Sequence, residues 1–190
     1  MNWSNPLSVT VGDETIKIRN KCDYRVVLDV IEVLTDEELT FFDKIETALY
    51  IFYETPPKAE NEFEAIKKIN EIISCGKPDN GGKAQSRRLM SWKDDFNYIA
   101  PAVSRICGYD VRNPKAYTHW YSFVGSYMEI GDCFFASIVA IRKKTANHER
   151  LQPHEEAFMK ENYSAIFPDS YLGCDDEAYL WEGVSDEWAR

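Results

Sequence analysis

The sequence predicts a mainly α-helical fold, a helical domain of about six or seven helices with a small N-terminal β-hairpin. Along most of the 190-residue chain, apolar residues recur at intervals of three and four, which places them on one face of a helix. Residues 7–19 instead alternate between apolar and polar side chains, as strands do. With 44% hydrophobic residues, the chain has enough apolar surface for a sizeable core. We therefore expect residues 1–166 to form one helical domain.

The hairpin prediction for residues 7–19 rests on this alternation and on a turn. The apolar positions are Leu7, Val9, Val11, Ile16 and Ile18. Gly12 and Asp13 stand between the two runs and are typical of a hairpin turn. A two-stranded hairpin is marginally stable by itself in water, so we expect it to pack on the helices.

Two capping residues mark the first two helices. Asp23 precedes a helix that reaches about Leu34, because an aspartate side chain accepts hydrogen bonds from the free N–H groups of a first helical turn. Thr40 takes the same position before a second helix, which Pro56 ends. A third helix is predicted from about residue 58 to residue 75, where apolar residues recur at helical spacing.

Residues 77–90 are predicted to be a mobile basic loop. The segment contains Gly, Pro, Asn and Ser and has no apolar periodicity, which is typical of loops. Ser91 and Asp94 then resemble a capping box. A fourth helix follows and ends at Gly108, a residue favoured just after a helix.

Three more helices complete the predicted domain. The fifth starts at Asn113 and Pro114, a capping residue followed by the residue favoured at the first helical position. The sixth covers residues 133 to about 144, and the seventh covers residues 153 to about 166. Residues 167–190 form an acidic and aromatic C-terminal tail. Its composition is typical both of interaction segments and of solvated tails.

The overall charge excludes two classes of partner. The formal net charge is −10, so we expect the chain to bind neither nucleic acid nor an anionic membrane surface. No apolar run approaches the ~20 residues of a membrane span, and the first residues have no signal-peptide pattern. The five cysteines are scattered and odd in number, which favours reduced thiols and a cytoplasmic location.

The sequence shows no catalytic or metal-binding motif, and we expect no enzymatic activity and no cofactor. His154 begins a segment like the helix of a zinc protease, but Phe158 stands where the second histidine is required. A phosphate-binding loop would need a lysine where Gly82 stands. Pairs of carboxylates are frequent among 32 acidic residues, and we interpret them as solvated surface.

Several segments of the chain resemble a known protein family. They are residues 23–29 (DYRVVLD), 46–53 (ETALYIFY), 90–96 (MSWKDDF), 108–111 (GYDV) and 119–131 (HWYSFVGSYMEIG). Together they resemble the "gene product fifteen" family of tailed bacteriophages and of prophages in Gram-positive bacteria. The resemblance extends over roughly residues 15–166.

The resemblance implies a function in phage tail assembly. Members are encoded just ahead of the tape-measure gene and look like tail assembly chaperones, which keep the long tape-measure protein soluble while tail-tube subunits assemble around it. The resemblance implies a non-catalytic protein of the host bacterial cytoplasm that is absent from the mature virion. The tape-measure protein is the implied partner. The tail tube protein and a second copy of the chain, as a homo-oligomer, are left open as additional partners.

A chaperone for an amphipathic helix needs an apolar groove. The candidates are aromatic and methionine side chains of the fourth and fifth predicted helices: Trp92, Phe96, Tyr117, Trp120, Tyr121 and Met128. The competing interpretation places these residues in the core, since they recur at helical spacing among other core positions. Complete burial of Trp92 and Trp120 would exclude the binding interpretation.

Two other functions are compatible with the sequence. The first alternative is a phage-encoded acidic protein that binds and inhibits a host protein. An inhibitor that imitates nucleic acid would gather its acidic residues on one face, whereas here they are spread over several predicted helices. The second alternative is an enzyme whose site forms only in three dimensions, which would show a deep pocket with converging polar groups.

Overall fold

The computed structural model describes residues 4–76 and 89–168. Within them a two-stranded antiparallel hairpin precedes eight helices, so the predicted fold class is confirmed. The elements are β1 (Ser8–Val11), β2 (Glu14–Lys17), α1 (Tyr24–Thr35), α2 (Phe41–Phe52), α3 (Glu62–Ile73), α4 (Trp92–Cys107), α5 (Trp120–Met128), α6 (Phe134–Ala146), α7 (Pro153–Glu161) and α8 (Tyr163–Ile166). Apart from residues 89 and 90, the predicted basic loop lies outside the described residues, as does the predicted tail after residue 168.

Backbone contacts divide the chain into two compact units. Unit 1 contains Met1–Asn80 and Val111–Met128, and therefore the hairpin, α1, α2, α3 and α5. Unit 2 contains Gly81–Asp110 and Glu129–Arg190, and therefore α4, α6, α7 and α8. The single helical domain expected for residues 1–166 stays a prediction.

The hairpin packs on the beginning of α3. Val9 lies opposite Ile16 in the two strands. Gly12 occupies the turn with a φ of +57°, and its N–H donates a hydrogen bond to a carboxylate oxygen of Glu64 at 3.0 Å. A Cβ atom at position 12 would lie 2.8 Å from the side-chain oxygen of Asn61. The turn therefore requires glycine both for its left-handed backbone and for its close approach to α3.

The predicted caps of α1 and α2 are present in the structure. The Asp23 carboxylate accepts a hydrogen bond from the Arg25 N–H at 3.1 Å, and the Thr40 hydroxyl accepts one from the Asp43 N–H at 3.3 Å. The fully or almost fully buried side chains of α1, α2 and α3 are Tyr24, Val26, Val27, Val30, Ile45, Ala48, Leu49, Phe52, Ala65, Ile66, Ile69, Ile72 and Ile73. These residues form the core of unit 1.

The fifth helix begins at Trp120, so the predicted start at Asn113 is wrong. Residues 118–120 instead pair as extended backbone with the segment before α1. The Tyr24 N–H donates to the Thr118 carbonyl oxygen at 2.9 Å, and the Trp120 N–H donates to the Cys22 carbonyl oxygen at 2.9 Å. This long-range pairing satisfies backbone groups of residues 118–120 that a helix would otherwise satisfy, so the helix does not begin earlier.

Arg25 fixes the segment before α5 onto the start of α1. Its guanidinium donates to the carbonyl oxygens of Val111, Asn113 and Ala116 at 2.6–3.0 Å. The guanidinium carbon lies 4.9 Å from the ring centroid of Tyr24, within the range of a cation–π contact. Three carbonyl groups of one loop are thereby satisfied by a single side chain from another element.

Unit 2 also begins with a predicted cap. The Ser91 hydroxyl accepts a hydrogen bond from the Asp94 N–H at 3.2 Å, and α4 ends at Gly108, which has a φ of +77°. The seventh predicted helix is interrupted and forms α7 and α8. Asn162 lies at the break, where its side-chain amide and its backbone N–H both donate to the Phe158 carbonyl oxygen at 3.0 Å. This local side-chain bond competes with the regular helical pattern.

The interior of unit 2 contains an ion pair. The Arg142 guanidinium binds both carboxylate oxygens of Asp95, at 2.7 and 2.9 Å, and each side chain is 1% exposed. Arg142 also donates to the carbonyl oxygens of Leu89, Ala165 and Ile166 at 2.6–3.1 Å. The pair therefore joins α4, α6 and α8 through charge-assisted hydrogen bonds.

Candidate protein-binding surface

The six residues predicted to bind a partner fall into both compact units. Trp92 and Phe96 belong to α4 in unit 2. The members in unit 1 are Tyr117, Trp120, Tyr121 and Met128.

Trp120 is a core residue, and its assignment to a binding surface is wrong. The side chain is 2% exposed. Its indole N–H donates to the Ile73 carbonyl oxygen at the end of α3 at 3.0 Å. The ring stacks near Phe123, whose own ring stacks on Tyr24 with a centroid distance of 4.2 Å. Through these contacts Trp120 joins α1, α3 and α5, so its side chain lies in the interior between the three helices.

Tyr117 and Met128 are exposed at 49% and 60%, but they lie at opposite ends of α5. Tyr117 precedes the first helical residue, and its hydroxyl donates to the Lys21 carbonyl oxygen at 2.7 Å. Tyr121 lies between them and is half-buried, and burial raises its pKa to about 12. Trp120, which follows Tyr117 and precedes Tyr121, is buried in the core. The structure therefore does not gather the predicted residues of unit 1 into one patch.

Trp92 and Phe96 are half-buried. Residues four positions apart lie on one face of a helix, so both side chains belong to the same face of α4. The condition that would exclude the binding interpretation, complete burial of both tryptophans, is met by Trp120 and not by Trp92. The assignment of Trp92 and Phe96 to a partner surface stays a prediction.

Among the described residues of unit 1, the most exposed large aromatic side chains lie on α2, where no binding surface was predicted from the sequence. Phe42 is 81% exposed and Tyr50 is 66% exposed. Glu46 is also exposed and stands halfway between them. A spacing of four residues keeps all three on one side of the helix. We call Phe42, Glu46 and Tyr50 the α2 face.

A signal for the α2 face was present in the sequence. The buried side of α2 carries Ile45, Leu49 and Phe52, and these positions already account for one apolar stripe. Phe42 lies three residues before Ile45 and continues that stripe at its N-terminal end, whereas Tyr50 lies about 100° from Leu49 around the helix and outside the stripe. The apolar surface of α2 is therefore wider than the side that packs on the core, and part of it stays exposed.

An open cleft adjoins the Tyr50 end of the α2 face. It has a volume of about 310 Å³ and is lined by Glu46, Leu49, Tyr50, Pro56, Pro57 and Glu62, with Thr47. Two carboxylates thus border a surface of aromatic, leucine and proline side chains. Proline has a fixed φ, so this wall is conformationally restricted.

Arg19 holds the end of α2 that carries Tyr50. Its guanidinium donates to the carbonyl oxygens of Tyr50, Ile51 and Tyr53 at 2.8–2.9 Å. The guanidinium carbon also lies 5.6 Å from the centroid of the Tyr50 ring. Free carbonyl groups at a helix C-terminus attract cations, so this arrangement stabilises the last turn of α2 and orients Tyr50.

His119 and Cys22, two buried titratable residues of unit 1, have structural rather than catalytic surroundings. His119 accepts a hydrogen bond at Nδ1 from the Tyr121 N–H at 3.0 Å, and its Nε2 donates to the Pro6 carbonyl oxygen at 3.1 Å. This pattern requires neutral imidazole, and burial lowers the pKa of His119. Burial raises the pKa of Cys22 to about 12, so its thiol is protonated and a poor nucleophile at neutral pH.

The described residues offer no site for a resident metal ion. No group of three or more His, Cys, Asp and Glu side chains within residues 4–76 and 89–168 is placed to hold one. None of the helices in that part of the chain combines the length and apolar character needed to cross a membrane.

The fold and these surfaces describe a class of mainly helical proteins that expose aromatic side chains on helix faces. The chain belongs to the Bacteriophage Gp15 protein family, whose family model matches residues 6–164. It is therefore a phage protein, and the resemblance identified from the sequence is confirmed. No curated protein and no solved structure is significantly similar to the chain.

Proposed function

We propose that this phage protein is a tail assembly chaperone that binds the tape-measure protein and keeps it soluble while the tail tube assembles. The family match over residues 6–164 carries the proposal, because the resemblance implies this function for the family. The protein acts without catalysis in the host bacterial cytoplasm and leaves before the virion is complete.

The surfaces of the described residues support binding of a helical partner. A tape-measure chain that has not yet entered a tube exposes apolar stripes, which promote aggregation. Helical proteins cover such stripes with apolar faces of their own. Exposed aromatic side chains are present on α2, where Phe42 and Tyr50 are more than half exposed.

The charge of the chain supports the same proposal. The formal net charge is −10, and a net charge far from zero keeps a protein and its complexes soluble. A chaperone that is later displaced by tube subunits also needs a surface of moderate affinity. An exposed face of a few aromatic residues meets that requirement better than a large closed apolar interface does.

Co-expression with the tape-measure protein of the same phage tests the proposal. We expect the tape-measure protein to move from the pellet to the supernatant and to co-elute with this chain in size-exclusion chromatography. An unrelated acidic helical protein of similar size serves as the control, since it supplies charge without a specific surface. A tape-measure protein that stays in the pellet in both cases contradicts the proposal.

The acidic and aromatic α2 face is also compatible with the alternative function, inhibition of a host protein. Affinity purification from host extract, followed by identification of the retained proteins, distinguishes the two. A single host protein retained in stoichiometric amount, together with a tape-measure protein that stays insoluble, would favour the inhibitor. The tail tube protein and a second copy of the chain are tested in the same co-expression by their presence in the eluted complex.

A further inference from the structure

We propose that the α2 face and its adjoining cleft bind a basic amphipathic helix of the partner. This helix carries a Lys or Arg between two apolar residues that lie two helical turns apart. The inference rests on the proposed function for the identity of the partner, the tape-measure protein. The recognition chemistry itself follows from Phe42, Glu46 and Tyr50.

The distance between Phe42 and Tyr50 along α2 determines which spacing of apolar residues on a partner helix fits the face. Phe42 and Tyr50 are eight residues apart on α2, which corresponds to about 12 Å along the helix axis. Apolar residues seven positions apart on a partner helix are separated by about 10.5 Å. A partner that packs along α2 at the common shallow crossing angle of about 20° can therefore contact both aromatic side chains at once.

The negative charge of the α2 face favours a basic partner residue between those two apolar contacts. Glu46 stands midway between the two aromatic residues, and Glu62 also lines the cleft. No described cation lies within ion-pair distance of the Glu46 carboxylate. A partner lysine or arginine opposite Glu46 gains an attractive interaction, whereas an acidic residue there is repelled.

The same charge argues against a second copy of the chain as the occupant. Glu46 is the midpoint of the α2 face, so two α2 helices packed face to face place Glu46 opposite Glu46 in either direction. Like charges placed directly opposite each other disfavour an interface. The face is thus complementary to a different, basic helix.

The face is held in position before a partner arrives. Arg19 fixes the last turn of α2 through three carbonyl oxygens, and Pro56 and Pro57 are among the residues that line the cleft. A surface that is already ordered loses less conformational entropy on binding. The exposed aromatic residues are therefore available as anchors at moderate entropic cost.

A pair of synthetic peptides tests the proposal with the full chain. The first is a fluorescent helical peptide of about 20 residues, long enough to fold partly by itself, with two leucines seven positions apart and a lysine midway between them. The second has glutamate in place of that lysine. We expect the chain to bind the lysine peptide at least about tenfold more tightly, by fluorescence anisotropy, with a preference that weakens as salt is raised.

Substitutions on the α2 face locate the binding. Phe42→Ser and Tyr50→Ser should each weaken binding of the lysine peptide by about tenfold or more, since each removes one apolar contact. Glu46→Lys should reverse the preference between the two peptides. Glu161→Lys, at an exposed position of α7, is the matched control and should leave the preference as it is. Equal effects of Glu46→Lys and Glu161→Lys would overturn the proposal.

Co-expression separates this inference from the proposed function. If the wild-type chain and Glu46→Lys both keep the tape-measure protein soluble, the inference about α2 is wrong and the chaperone function stands. If the wild-type chain fails to keep it soluble but still selects the lysine peptide through Glu46, the chaperone function is wrong and the α2 surface stands. Circular dichroism spectra of the variants confirm that each one is folded.

Discussion

Replacing Asp95 by alanine removes the counter-charge of Arg142 inside unit 2. Both side chains are 1% exposed, so Arg142 stays charged and largely shielded from water. The loss of one partner of a buried ion pair typically costs about 3–5 kcal/mol. The Ser91 N–H also loses its acceptor, because it donates to Asp95 at 2.8 Å.

Three carbonyl oxygens still accept hydrogen bonds from Arg142 in the variant, which limits the loss. We therefore expect the lower end of the range, about 3 kcal/mol, for Asp95→Ala. That is a large fraction of the ~5–15 kcal/mol by which folded domains are usually stabilised. The measurement is urea unfolding monitored by far-ultraviolet circular dichroism. The free energies of unfolding of wild type and variant are compared with the same dependence on urea concentration.

The exposed ion pair between Lys68 and Glu71 supplies the control. Its Glu71 side chain is 58% exposed, so Glu71→Ala should cost only about 0–1 kcal/mol. A double variant, Asp95→Leu with Arg142→Met, should cost less than the sum of its two single variants by about 2 kcal/mol or more. If Asp95→Ala costs no more than Glu71→Ala, the buried pair does not hold unit 2 together and the reasoning fails.

Three further predictions concern unit 1. Burial lowers the pKa of His119, so the unfolded chain binds a proton more readily than the folded chain does. Stability should therefore fall as pH decreases from about 6.5, the ordinary histidine pKa, through the folded-state pKa. Urea titrations should show a smaller fall for His119→Gln, whose amide does not titrate and still offers a donor for the Pro6 carbonyl oxygen. Lys21 has a φ of +56°, so Lys21→Gly should relieve backbone strain and raise the free energy of unfolding by up to about 1 kcal/mol. The control, Lys44→Gly in α2, should lower the free energy of unfolding by about 1 kcal/mol. Equal effects of the two substitutions would contradict strain at Lys21. Cys22 is buried, whereas Cys133 is partly exposed. In the folded chain Cys22 should react with a thiol reagent at least about a hundredfold more slowly than Cys133, and at a similar rate in urea, as measured on variants that keep one cysteine each.

Local sequence signals predicted much of the fold. The side chains of Asp23, Thr40 and Ser91 each accept the hydrogen bond that an N-cap accepts, because capping depends on residues only two or three positions away. The start of α5 was missed for the opposite reason. Asn113 is a good local signal, but Trp120 is the first helical residue, since backbone pairing with a segment almost a hundred positions earlier prevails.

The candidate site was less predictable than the fold. Helical periodicity shows that Trp120 and Met128 share a helix, but it does not show which side of α5 faces α1 and α3. Trp120 is consequently in the core, and the aromatic residues left on the surface of unit 1 include Phe42 and Tyr50. An apolar stripe on α2 that is wider than a buried side requires was the available signal. Its exposure depends on tertiary packing, which one sequence does not provide.

Three arginine side chains make contacts that the sequence patterns did not predict. Arg19, Arg25 and Arg142 each bind three backbone carbonyl oxygens, and a basic residue in a sequence is ordinarily interpreted as solvated surface. The planar guanidinium has five donors in fixed directions, so one side chain can satisfy several carbonyl groups where a lysine could not. In this chain the three arginines fix the end of α2, the segment before α5 and the interior of unit 2. The position of Tyr50 on the α2 face therefore depends on a residue that belongs to no apolar pattern.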